Sequence, residues 1–175
     1  VLIHRLLERL PDIAADQRRA AASAWLLRNA GETPEALRAQ TLDQALGVLE
    51  TPDFAEIFSP NALAEAPISA IVGGVVITGT IDRLLVTPEA ITVVDFKTTR
   101  RPPSSAKAVP VGTLRQMAAY VAALEVIYPG RKVRAGVLYT QTPELIALSE
   151  AALAPHKDQL GAAQESLGDV GPEAY

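Results

Sequence analysis

The chain has 175 residues, 49% hydrophobic and 21% charged, which suits one folded domain with a sizeable core and excludes a disordered or low-complexity segment. It contains no cysteine, which excludes disulfides, a thiolate zinc site and a cysteine-held iron–sulfur cluster, and no run approaches the length of a membrane span. The net charge of −4 gives no global attraction to a polyanion, so any contact with nucleic acid must come from a local basic patch.

Residues 1–60 read as helical. The run 1–10, VLIHRLLERL, is a short apolar-periodic helix stopped by Pro11. The chain begins inside this helix with no signal peptide before it, so it reads as a piece cut from a longer protein in a reducing, cytoplasmic setting. Residues 12–31 form a second helix, with Asp12 as its cap and Gly31 as its stop. A third spans 33–50, opened by Thr33 with Pro34 at its first position. The period then changes. Runs 64–72, 75–86 and 90–98 are three strands, separated by Gly73-Gly74 and by Thr87-Pro88-Glu89-Ala90, both good hairpin signals. A Pro/Ser/basic loop follows through 100–112, then a helix over 114–130 that ends at Pro129-Gly130. Strands at 131–141 and 145–148 and a helix at 150–166 complete the pattern, before a loose tail. There are no repeats. Helices, a hairpin sheet and a helix–strand–helix unit predict one α/β domain with a central mixed sheet flanked by helices.

The hairpin between the second and third strands carries the chemistry. A symmetric turn at Pro88-Glu89 pairs Val86 with Ile91 and, counted back, sets Asp82 directly opposite Asp95. Lys97 lies two residues beyond Asp95 and so on the same face. Two opposed carboxylates repel, and the flanking ITVV predicts a central strand where burying charge is expensive. A divalent cation relieves both problems, and hard oxygen ligands suit magnesium or manganese. The plainer alternative is a structural salt bridge from Asp82 to Arg83 or another base.

The spacing G-x-IDR…VVDFKT, Gly79 to Thr98, resembles the RecB-like nucleases of the PD-(D/E)XK superfamily. IHRLLE, residues 3–8, resembles the first-helix motif of that family, and RQMAAY, residues 115–120, its glutamine–tyrosine motif, in the same order along the chain. The run YPGRKVRAGVLYTQTPELIAL resembles the C-terminal nuclease domains of the A-subunit (AddA) family of ATP-dependent helicase–nucleases. The resemblance covers nearly the whole chain and implies a restriction-endonuclease-like core over 61–168, a helical part over 1–60 and a loose tail at 169–175. It implies that His4, Asp82, Asp95 and the backbone carbonyl of Phe96 hold Mg²⁺ or Mn²⁺. It implies further that Lys97 stabilises charge on the phosphate or orients the attacking water, with Gln116 and Tyr120 over the active site. The plainer alternatives are an ordinary strand-edge lysine for Lys97 and a structural histidine for His4, and on sequence alone the Gln116/Tyr120 face is equally a hydrogen-bonded core edge beside the apolar stripe of Leu114, Met117, Val121 and Leu124. Glu65 is either a supporting acid or an exposed one. Arg100, Arg101, Lys107 and Arg115 are candidate phosphate contacts or a solvated surface. Arg18, Arg19, Arg28 and His156 read as surface.

The resulting expectation is a magnesium-dependent deoxyribonuclease domain of a bacterial, cytoplasmic helicase–nuclease that processes double-strand breaks. Its DNA would arrive as single strands from a motor, with an AddB-like subunit as partner. No phosphate-binding G-x-x-x-x-G-K-[ST] loop occurs, so ATP hydrolysis and helicase activity belong to another part of such a protein. The alternatives are another RecB-like exonuclease, a nuclease fold without catalysis that serves as a DNA-binding or scaffold module, and a structural α/β domain with a chance acid pair.

Overall fold

The computed structural model describes residues 2–168; Val1 and the predicted tail at 169–175 lie outside them. The first helix, α1 (Leu2–Arg9), turns Ile3, Leu6 and Leu7 to one buried stripe. Pro11 does not stop the chain abruptly. It sits in a 3₁₀ turn, Leu10–Asp12, where its missing N–H costs nothing. Asp12 is part of that turn and not the cap of the next helix. Helix α2 (Arg18–Asn29) starts later, after Gln17, and has no side-chain cap. Arg18, expected at the surface, folds back instead: its Nε donates to the carbonyls of Leu10 at 3.0 Å and Ile13 at 2.9 Å. Helix α3 (Glu35–Leu49) has Pro34 as its extended N-cap, with ψ of 139°, and not as its first helical residue.

The three predicted strands follow closely: β1 (Ala62–Val72), β2 (Val75–Val86) and β3 (Ala90–Lys97). Gly73 and Gly74 make the first turn with φ of 54° and 83°, values that suit glycine and match the twist of a tight hairpin. Helix α4 (Val111–Ile127) begins ahead of the predicted Leu114, because Pro110 is extended and caps it there. Strand β4 (Lys132–Tyr139) lies parallel to β3, β5 (Glu144–Leu148) returns antiparallel, and α5 (Glu150–Gly168) closes the order. The sheet runs β1-β2-β3-β4-β5, mixed, with β3 at its centre.

Alternate residues of β3 build two cores. Ile91 and Val93 join Met117, Val121 and Leu124 of α4 on one face. Val94 and Phe96 join Leu6, Leu7, Leu42 and Leu46 of α1 and α3 on the other. A strand covered on both faces needs an apolar residue at nearly every position, and AITVV meets that demand. The acid at Asp95, 6% exposed, is the departure.

Candidate active site

The β2–β3 ladder keeps its predicted register from Val86↔Ile91 to Arg83↔Val94 and then stops, one pair short of Asp82 and Asp95. The expected face-to-face acid pair is therefore not formed as a ladder pair. Two observations give the reason. The backbone N–H of Phe96 donates to Asp82 Oδ2 at 2.6 Å, so a side chain takes the place of a β2 carbonyl. Ile81 and Leu84, three apart, also pack into the same core, so the alternation of β2 slips between them. The irregularity extends into β1. Glu65 lies between the pairs Ala64↔Arg83 and Ala66↔Ile81, across from Asp82 without a partner, and has φ of 48°. A non-glycine residue there stores backbone strain. Because N–H and C=O of one strand residue leave on the same edge, the Phe96 carbonyl also points toward β2, beyond the last rung of the ladder.

Into this gap the fold brings His4 from α1. Its Nδ1 is 3.4 Å from Asp82 Oδ1, and its ring meets Phe96 edge-on with centroids 5.6 Å apart. Asp95 and Lys97 stand on the α4 face of β3, with Lys97 Nζ 2.8 Å from Asp95 Oδ2. That approach is a charge contact without hydrogen-bond geometry, and Asp95 Oδ2 remains buried with no hydrogen-bond partner. Burial pushes the Asp95 carboxyl above the usual aspartate range; Lys97 pulls it down, Asp82 pushes it up, and His4 pulls it down. The ammonium of Lys97 also donates to Gln116 Oε1 at 3.1 Å, Gln116 Nε2 to the Tyr120 hydroxyl at 3.3 Å, and that hydroxyl to the Thr80 carbonyl at 3.2 Å. Gln116 and Tyr120 are thus committed to protein groups: they form a relay that fixes where Lys97 points. The relay needs Gly79. A Cβ there would lie 2.6 Å from the Tyr120 ring.

Sequence reasoning missed three supports. Arg83, 4% exposed, does not pair with Asp82. It lies 5.1 Å over the Phe58 ring and donates to the carbonyls of Leu7 and Glu8, two of the orphan acceptors at the end of α1. It therefore fastens the helix that carries His4 to the strand that carries Asp82. A charged residue between the apolar Ile81 and Leu84 of one strand was the available signal. Thr140, fully buried, holds the Lys97 carbonyl from its N–H at 3.0 Å and its hydroxyl at 3.3 Å. Tyr139, beside Lys97 in the β3–β4 register, buries an unpartnered hydroxyl; burial, then Asp95 and Glu144, push its phenol up. Arg100, Arg101, Lys107 and Arg115 are all exposed after β3 or on α4, while His156 is half-buried with a buried, unpartnered Nδ1.

With this geometry in hand, comparison with known proteins is decisive at the family level. Residues 1–171 match the profile of the PD-(D/E)XK nuclease superfamily. The chain belongs to that superfamily. A crystal structure from Eubacterium rectale, of a protein named provisionally as an exonuclease, is similar over 95% of this chain and 70% of its own, with a TM-score of 0.62 and 13% identity. At that identity the likeness is one of fold. The structure of SSO0001 is 17% identical over 93% of this chain and 75% of its own, with a TM-score of 0.39. No curated protein matches.

PD-(D/E)XK nucleases generally use divalent metal ions. Among the described residues no three histidine or acidic side chains lie close enough together to hold a metal ion between them. The donors are nevertheless of the right kind: an imidazole beside one carboxylate, a second carboxylate buried next to Lys97, and a backbone carbonyl beyond the last rung of the ladder. An open set of hard ligands fits a cation that keeps several waters. No helix among the described residues is long and apolar enough to cross a membrane.

Proposed function

We propose that this chain is a metal-dependent deoxyribonuclease domain whose working residues are His4, Asp82, Asp95, Lys97, Gln116 and Tyr120. The observation that carries the reading is the buried Asp95 carboxylate, ion-paired at Oδ2 with Lys97 alone and within the field of Asp82 and His4. A burial of charge this costly for stability is what a catalytic site tolerates.

His4, Asp82, Asp95 and the Phe96 carbonyl would hold Mg²⁺ or Mn²⁺, which when bound supplies positive charge to activate water and offset charge on the phosphate. Asp95 orients that assembly from a rigid central strand. Lys97, held by Gln116, presents its Nζ to a non-bridging phosphate oxygen as negative charge develops there. Water adds to phosphorus, the bond to the leaving oxygen breaks, and that oxygen takes up a proton. Arg100, Arg101, Lys107 and Arg115 hold neighbouring phosphates.

The finer setting is also part of the proposal. Resemblance in YPGRKVRAGVLYTQTPELIAL supports an AddA-like nuclease domain of a longer cytoplasmic chain. There a motor would feed single strands from broken ends, and an AddB-like subunit would be the partner. The test is incubation with labelled linear DNA, single- and double-stranded, in magnesium and in chelator. Cleavage in magnesium, absent in chelator and in Asp95→Ala, is the expected outcome. Uncut DNA with a folded, magnesium-supplied chain overturns the reading.

A further inference from the structure

Next to the catalytic residues, on the opposite face of β3 from Gln116, lies a cavity of about 270 Å³ whose polar wall is Gln40, Thr41, Gln44, Thr98, Arg100 and Gln141. Aliphatic side chains from α1 and α3 form the rest. It touches the active site through the chain itself. Ile3 of the lining precedes His4, Thr98 follows Lys97, and Gln141 follows the Thr140 that clamps the Lys97 carbonyl. The pocket thus opens at the carboxyl ends of the parallel pair β3 and β4, where α/β sheets present ligands.

Its chemistry is specific. Three carboxamides, two hydroxyls and one guanidinium face it, and no carboxylate does. Gln116, at the active site, is committed to Lys97 and Tyr120, whereas Gln40, Gln44 and Gln141 have no protein partner among the described residues. Carboxamides carry a donor and an acceptor side by side, the complement of a nucleobase edge. The apolar wall suits the base face, and exposed Arg100 suits the attached phosphate. A cavity of about 270 Å³ has space for one nucleobase.

We infer that this cavity is a base-edge subsite, which takes one unpaired nucleobase adjacent to the phosphate under attack. This rests on the nuclease reading and deepens it: the substrate is gripped by an unstacked base as well as by its backbone, which requires a single strand or a splayed end.

The experiment uses the ¹⁵N-labelled 175-residue chain in chelator, so that no strand is cut. A single-stranded tetranucleotide is titrated against a strand of the same length built from abasic tetrahydrofuran units. The side-chain amide signals of Gln44 and Gln141 should shift with the base-bearing strand and stay in place with the abasic one. In magnesium, Gln44→Leu and Gln141→Leu should each raise KM for single-stranded DNA roughly tenfold with kcat retained, as expected for loss of a paired contact to a base. The abasic strand should show no such difference. Equal shifts with both strands, or none with either, overturn the subsite. So does an unchanged KM in folded variants, checked by their backbone spectra. Failure of the nuclease reading is separately visible, as wild-type chain that does not cut in magnesium while the amide shifts persist.

Discussion

From Val86 and Ile91 to Arg83 and Val94, β2 and β3 make an ordinary antiparallel ladder; from Asp82 and Asp95 onward they do not. At the ordinary end the rungs join apolar or neutral side chains, except at Arg83, whose guanidinium reaches away to the end of α1. At the other end a carboxylate has taken a backbone N–H, an adjacent strand holds Glu65 in a left-handed conformation, and a buried Asp95 oxygen lacks a hydrogen bond. One pair of strands thus separates two uses of the same backbone. Regular pairing with apolar burial stabilises the sheet. Interrupted pairing, on the proposed function, leaves charges and a carbonyl for a ligand, and the regular part carries the cost.

Substitutions at the two ends should therefore separate chemistry from stability. The largest effect belongs to the interrupted end: Asp95→Ala and Lys97→Ala should each lower magnesium-dependent cleavage by about 10³-fold or more. Single-turnover rates on labelled strands measure this, and circular dichroism should show the fold intact. At the regular end, Ile91→Ala should cost about 3 kcal/mol of unfolding free energy in urea while the folded fraction cuts at near wild-type rate. If Ile91→Ala removed cleavage with little loss of stability, the division between the two ends would be wrong.

Magnesium should act on the interrupted end alone. At a hundred times its Kd it should add about 2.7 kcal/mol of stability, read as a rise in Tm, and Asp95→Asn should lose that rise. Arg83→Leu should cost about 2 kcal/mol, the scale of a charged hydrogen-bond set at the end of α1. It should also weaken magnesium binding, because α1 would no longer hold His4 against Asp82. Isothermal titration separates the two consequences. A lower Tm with unchanged metal affinity would make Arg83 a fold residue only.

The smallest effect is a slope. Burial raises the Asp95 pKa above its unfolded value, so in the intervening pH window the folded chain keeps a proton that the unfolded chain has lost. In chelator, stability contributed by this group is present below the unfolded pKa and is lost as pH rises through the folded one. Thermal unfolding across that window should show a decline for wild type that Asp95→Asn flattens.

Much of this was legible in the residues. Period, glycine turns and proline stops located the strands to within a residue or two, because a strand buried on both faces and a hairpin with two left-handed glycines leave local signatures. The register from Val86 to Arg83 followed from the turn alone. Helix starts were less legible: Asp12 has the chemistry of a cap, but the 3₁₀ turn at Pro11 and the folding back of Arg18 occupy that segment first. The order of IHRLLE, TGTIDR, VVDFK and RQMAAY pointed to the superfamily, because four short motifs in one order are far more specific than any of them alone. What the tertiary structure alone decided lies between elements far apart in the chain. It decided that the ladder ends before Asp82, that Arg83 ties α1 to the sheet, that Gly79 makes room for the Tyr120 ring, and that Gln44 and Gln141 face one cavity. Local sequence encodes backbone preference and the side on which a residue lies. Which carbonyl an arginine reaches across seventy-odd residues, and which side chain replaces a rung of a ladder, depends on how two packed layers meet across the same strand.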